Sequence, residues 1–259
     1  MTDTPILELR GVSKSFGAVQ ALYEVDFHVH AGEVMALVGD NGAGKSTLIK
    51  CVAGIYSIDS GEILFEGQPV SIHGPKDAAR LGIEIVYQDL ALADNLDVVQ
   101  NMFLGREEVT RPFHSLDELA MEKRANDTLG TLAVTTISSV RQIVAGLSGG
   151  QRQSVAVAKA VMWNSRVVIL DEPTAALGVA QTRQVLDLVK RLGQQGLAVV
   201  LVSHNLHDIF EVADNITVLR LGQNVAVYKR ADVTQTQVVE AITAGKLSKI
   251  PGVHDEVIA

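Results

Sequence analysis

The clearest chemistry in the chain lies in one run, Gly39-Asp40-Asn41-Gly42-Ala43-Gly44-Lys45-Ser46-Thr47. It fits G-x-x-x-x-G-K-[ST], a phosphate-binding loop. Backbone N–H groups of such a loop wrap phosphate oxygens and hand them to a helix N-terminus, where the dipole favours anions. The glycines let the backbone approach closely with no Cβ in the way. Lys45 supplies a positive charge for the β- and γ-phosphates, and Ser46 a hydroxyl for Mg²⁺. Residues 33–38 read as a buried strand before the loop. Residues 45–53 read as a short helix after it, with Gly54 placed to end that helix. Strand, loop and helix are the setting such a loop requires.

Further polar residues fall where strands should end. Residues 167–170 are Val-Val-Ile-Leu, followed by Asp171 and Glu172. A continuous apolar run reads as a central parallel strand, and ligands bind at the carboxyl ends of such strands. One carboxylate can hold Mg²⁺ and the next can orient a water. Residues 197–202 read as another buried strand, which brings His204 to the same edge. His204, His207 and Asp208 together suggest metal ligation, but no third well-placed ligand is identifiable. Residues 83–87 form a strand ending at Gln88. Leu147-Ser148-Gly149-Gly150-Gln151 opens a helix, with Ser148 and Gln151 as a capping box. Its glycines expose N–H groups that could bind a second anion, although an ordinary cap also accounts for them. Phe16 lies upstream of the loop, where an aromatic ring could stack on adenine; taken alone it also fits a core residue.

The elements that must hold these residues read as α/β. The chain has 259 residues, 47% hydrophobic but only 4% aromatic, so its apolar content is mostly Val, Ala, Leu and Ile. That suits parallel strands covered on both faces, in one domain spanning residues 1–259. Residues 6–10, 22–29 and 63–67 suggest a small antiparallel sheet beside the nucleotide core. Residues 89–165 read as an inserted helical lobe, with helices at 98–106, 116–132 and from about 149. Residues 179–192 form an amphipathic helix. Residues 216–228 read as a hairpin around Gly222-Gln223-Asn224, and residues 246–259 as a loosely held tail. Net charge is −8, which disfavours a broad nucleic-acid surface. The lone cysteine, Cys51, excludes an intramolecular disulfide and reads as a small core residue. His28 and His30 face one side of a strand, with no third ligand to make a metal site. No apolar run approaches a membrane span, and Met1 to Pro5 begin no secretory signal. A soluble protein is expected, with any membrane role through a partner.

In the order Phe16, residues 39–47, Gln88, Leu147 to Gln151, residues 167–172 and His204, the chain resembles the ATP-binding subunits of ABC transporters over essentially its whole length. The resemblance implies a P-loop NTPase core of mainly parallel sheet, an antiparallel β lobe and an inserted helical lobe. It implies ATP and Mg²⁺ as cofactors and a head-to-tail dimer sandwiching two ATP molecules. Phe16 would stack on adenine, and Gly39, Asp40, Asn41, Gly42, Ala43, Gly44, Lys45, Ser46 and Thr47 would hold the phosphates. Ser46, Gln88 and Asp171 would attend Mg²⁺, Glu172 would be the catalytic base, and His204 would hold the γ-phosphate. Ser148, Gly149, Gly150 and Gln151 would reach the nucleotide of the other protomer. The loop after Gln88 would meet an integral-membrane permease at the cytoplasmic face of a bacterial inner membrane.

Tyr87-Gln88-Asp89-Leu90-Ala91-Leu92, Asn101 to Glu107 and Ser203-His204-Asn205-Leu206 look like the ribose, xylose and fructose importers of that family. This implies a monosaccharide as cargo and, indirectly, a periplasmic sugar-binding protein. One departure stands out: where the family usually has S-A-L-D, this chain has Ala175-Ala176-Leu177-Gly178, so no carboxylate at 178 can help couple the two sites. A soluble non-transport ABC ATPase and a nucleotide-gated interaction module are the competing readings. A P-loop kinase leaves the Leu147 to Gln151 helix start unexplained.

Overall fold

The computed structural model describes residues 4–110 and 115–244. The chain opens with β1 (Leu7–Phe16), β2 (Val19–Val29) and β3 (Val34–Val38), then α1 (Lys45–Val52). Next come β4 (Ser60–Phe65), β5 (Gln68–Pro69), α2 (Pro75–Arg80) and β6 (Ile83–Val86). Three helices follow: α3 (Val98–Phe103), α4 (Glu118–Thr131) and α5 (Gly149–Val161). The chain then alternates through β7 (Val167–Asp171), α6 (Val179–Gln194), β8 (Ala198–Val202) and α7 (Leu206–Val212). It closes with the hairpin β9 (Asn215–Arg220) and β10 (Gln223–Lys229) and with α8 (Gln235–Ala244). The tail expected at residues 246–259 lies outside the described residues.

The strands make two sheets. β2-β1-β4-β5 is antiparallel, and β10-β9-β3-β8-β7-β6 is parallel except for β10 on its edge. All five residues of β3 and of β8 are buried, which is why they read as unbroken apolar runs. Alternation along β7 divides the interior. Val168 and Leu170 pack with Val98, Met121, Val155 and Leu186 of the helical side. Val167 and Ile169, on the opposite face, pack with Leu48 and Cys51 of α1 and with Leu7 and Leu22 of the antiparallel sheet. Cys51 is buried there, and burial pushes its thiol up to about 11, so it packs as a small apolar residue.

β1 runs well past the expected residues 6–10. Its pairing with β2 shifts register between Leu9 and Val12 and again up to Ser15, with Gly11 at φ 55°. Those bulges break the period-two pattern, so the outer half of the strand does not show as alternation. Phe16 ends the strand, paired with Val19 of β2.

Candidate functional site

Register decides what meets at the carboxyl edge of the parallel sheet. Asp171 of β7 lies opposite Val202 of β8, Leu37 of β3 also lies opposite Val202, and Val86 of β6 lies opposite Leu170. Gly39, Gln88, Glu172 and His204 therefore each sit one or two residues beyond aligned strand ends. A stretch of chain more than 160 residues long is folded so that its polar strand-end residues share one edge.

The phosphate loop leaves β3 at Gly39 and enters α1 through Gly44. Gly39 has φ 151°, and a Cβ there would stand 2.2 Å from the Leu219 carbonyl oxygen. Gly44 has φ 101°, and a Cβ there would stand 2.8 Å from both the Ala21 oxygen and Leu22 Cδ2. Both sites combine left-handed backbone with no room, so glycine is required on two counts. Gly44 offers no side chain to cap α1. The first-turn N–H groups of α1 are thus left for an outside acceptor. The Lys45 Nζ donates to the Gly39 oxygen at 2.6 Å and the Asp40 oxygen at 3.0 Å, lying back across its own loop. Burial pulls its pKa down, against the raising pull of Glu172, Asp171 and Asp40. A half-buried ammonium facing carboxylates and an uncapped helix start is a donor set that fits a polyphosphate and a divalent cation.

Asp171 and Glu172 stand opposite this cation. Burial raises the pKa of Asp171, Glu172 raises it further, and Lys45 and Lys50 oppose the shift. Tyr87 feels the same carboxylate: burial, then Asp171, pushes its phenol up. Gln88 follows Tyr87 as an exposed residue in a bend. Glu172 occupies the left-handed region at φ 52°, its N–H donating to the Val202 oxygen at 2.9 Å. A non-glycine residue held there costs free energy that surrounding contacts must offset. Its Oε2 lies 2.8 Å from His204 Nδ1, with His204 largely exposed and Glu172 mostly covered. Phe16 is 43% exposed, so it is a surface ring rather than a core one; it packs edge-on against Tyr56 with centroids 4.9 Å apart.

The Ser148 helix start is built as its residue types predict and is more occupied than they suggest. Ser148 Oγ accepts from the Gln151 N–H at 3.4 Å, and Gln151 Oε1 accepts from the Ser148 N–H at 2.8 Å. Gln151 Nε2 also donates to the Thr136 oxygen at 2.5 Å, so this side chain is committed inside its own protomer. A Cβ on Gly149 would stand 2.8 Å from Leu177 Cδ2, and one on Gly150 3.1 Å from Gln181 Cβ. The glycines are there for close packing as well as for exposed N–H groups. Gly178, where the expected carboxylate is missing, caps α6 at φ −74°, with open space around an added Cβ.

His28 and His30 stack edge to face at 5.5 Å, and His30 Nδ1 lies 3.0 Å from Glu33 Oε2. Asp208 does not join His204 and His207: it turns inward, 2% exposed, and accepts from the Thr174 hydroxyl at 2.7 Å. The sequence signals neither Thr174 nor Asp208 as a pair, because 34 residues separate them. The one local hint is an acid in the first turn of α7.

An edge that gathers a phosphate loop, a partly buried carboxylate and a second carboxylate beside a histidine defines a nucleotide-hydrolysing protein. The ABC transporter family matches residues 22–175. The fructose import ATP-binding protein of Rhizobium meliloti is 48% identical, over 95% of this chain and 96% of that one. The xylose/arabinose import ATP-binding protein of Sulfolobus acidocaldarius is 44% identical, over 95% and 96%. A nucleotide-free ATP-binding cassette from an ABC transporter superposes with TM-score 0.77 at 25% identity, covering 87% of this chain and 91% of that one. The chain belongs to the ABC transporter family as an ATP-binding cassette, and its reaction is ATP hydrolysis.

Proposed function

We propose that this chain is the ATP-hydrolysing subunit that energises import of a monosaccharide through a partner membrane permease. The observation that carries the reading is near-full-length identity of 48% to a fructose import subunit, joined to a phosphate loop, paired carboxylates and His204 on one edge. No described helix is long and apolar enough to cross a membrane, and in this reading the permease provides the passage for the sugar. The chain would bind that permease peripherally, at the cytoplasmic face of a bacterial inner membrane, through the loop after Gln88. A periplasmic sugar-binding protein would feed the permease from the other side.

In this reading the loop N–H groups from Gly42 to Thr47 and the Lys45 ammonium hold the β- and γ-phosphates, and Phe16 stacks on adenine. Magnesium, when held by Ser46, Asp171 and Gln88, would neutralise charge on the phosphate oxygens. Glu172 accepts the proton of the attacking water, and its covered position keeps that carboxylate from bulk solvent. His204 swings from Glu172 to the γ-phosphate, an exchange that its exposure permits. The site is completed by Ser148, Gly149, Gly150 and Gln151 of a second copy, packed head to tail. Gln151 is already engaged, so the Gly149 and Gly150 N–H groups and the Ser148 hydroxyl are the donors available to that neighbour.

The test is deletion of the gene, followed by growth on single pentoses and hexoses with wild-type or Lys45→Ala chains restored. Growth on one sugar that fails on deletion and returns only with the wild-type chain is the expected result. Unchanged growth and uptake on every sugar in the panel would overturn the cargo assignment.

A further inference from the structure

We propose that Asp208 and Thr174 form a positioning pair for hydrolysis, holding the Glu172 backbone in register with His204. This rests on the reading of Glu172 as the base. Glu172 and Asp208 differ in kind. Glu172 lies partly covered at the sheet's carboxyl edge, whereas Asp208 is 2% exposed with its Oδ2 on the Thr174 hydroxyl at 2.7 Å. Among the described residues no ion pair reaches Asp208. A carboxylate buried without a cation is costly, so its retention asks for a role. Its place in the first turn of α7 recovers part of that cost through the helix dipole.

The pair closes a ring. From Glu172, at φ 52°, the chain turns tightly, with the Ala175 N–H on the Glu172 oxygen at 3.1 Å and the Leu177 N–H on the Thr174 oxygen at 3.2 Å. Thr174 crosses to Asp208. From Asp208 the first turn of α7 leads back through Asn205, whose N–H donates to Ser203 Oγ at 3.0 Å, to His204. His204 then returns to Glu172 at 2.8 Å. Among the described residues two polar side-chain links join these two loops, and the inner one, with Asp208 buried, is the better shielded from water. When His204 leaves Glu172 for a phosphate, the inner link is the side-chain contact that remains to back the turn's own backbone hydrogen bonds. Its loss would let the left-handed Glu172 backbone relax, moving the carboxylate off the water it must activate.

The experiment compares Thr174→Val, which keeps the shape and removes the hydroxyl, with Thr174→Ser, which restores it. ATP hydrolysis, nucleotide binding and the His204 ring NMR signals of the nucleotide-free full chain are measured for each, beside wild type and Glu172→Gln. Thr174→Val is expected to lower kcat by roughly tenfold or more, the cost of slight misplacement of a catalytic group, with binding changed less than about twofold. Thr174→Ser is expected to stay within about threefold of wild type, and Asp208→Ala with Thr174→Val to be no worse than either alone. The His204 signal should move in Thr174→Val and hold in Thr174→Ser. Wild-type kcat and an unmoved His204 signal in Thr174→Val would overturn the proposal, as would equal losses in kcat and binding that Ser does not rescue. Wild-type turnover in Glu172→Gln would instead overturn the assignment of the base on which the proposal rests.

Discussion

At the start of α1 the cap is Gly44, which has no side chain to give; at the start of α5 the cap is Ser148, locked with Gln151 in a reciprocal pair. Both starts are glycine-rich, and both suit an anion. In α1 the glycines are forced by positive φ and by the Ala21, Leu22 and Leu219 atoms that crowd them. In α5 the glycines have ordinary backbone and instead admit Leu177 and Gln181. The first start is unfinished without a ligand. The second is finished within its own chain and offers only what faces outward. In the proposed head-to-tail pair, a site built from one of each would have a half that needs nucleotide for its own satisfaction and a half already folded when a neighbour's nucleotide arrives.

The sharpest break of that contrast is Lys45→Ala. It removes the cation that answers Asp171 and Glu172, and ATP turnover should fall by roughly 10²–10³-fold with weaker nucleotide binding. Near-normal turnover would mean that α1 is not the working start. Ser148→Ala tests the other side. It should cost α5 about 1 kcal/mol of stability, visible in denaturant unfolding without nucleotide, because a real cap is lost. No change in stability would show that the pair with Gln151 contributes nothing.

Asp171→Asn gives a smaller, pH-dependent effect. Burial raises the Asp171 pKa, so its favourable contribution to folding is present at acid pH and lost as pH rises through the folded-state value. At neutral pH the ionised carboxylate therefore weakens the empty protein. Without nucleotide or magnesium, Asp171→Asn should melt higher at neutral pH by roughly 1–3 °C, as for a change under 1 kcal/mol in a chain this long. That gap should close below the ordinary carboxylate range. A lower neutral melting point would contradict it. Gly178→Asp should have the smallest effect. An aspartate fits the open space and ordinary φ at 178, and should stabilise α6 by a few tenths of a kcal/mol as a cap. Destabilisation in thermal unfolding would refute this account of the gap.

What could be read beforehand follows from range. The phosphate loop, the carboxylates after residues 167–170 and the Ser148 cap are local patterns, and each sits on the element its spacing implies. The two sheets were visible where strands alternate or run fully apolar. β1 outruns its alternating residues because the bulge at Gly11 reverses which residues face inward. The sequence does not signal Thr174 and Asp208 as partners, because the alignment of β7 with β8 brings their loops together. The packing of Gly149 and Gly150 on Leu177 and Gln181 has the same cause: it joins two loops that no local rule connects.

The central claim is that α5 completes the site of a second copy, and Glu172→Gln tests it most directly. Glutamine keeps the shape of Glu172 but cannot accept a proton, which removes base catalysis worth about 10²–10⁴-fold. The groups that bind ATP remain on both copies, so uncleaved ATP should hold the pair together by mass action. Size-exclusion chromatography with light scattering, with and without saturating ATP, reads the outcome. The account predicts a monomer without ATP and a dimer with it, alongside lost hydrolysis. A variant that binds ATP without hydrolysing it and stays monomeric would contradict the claim.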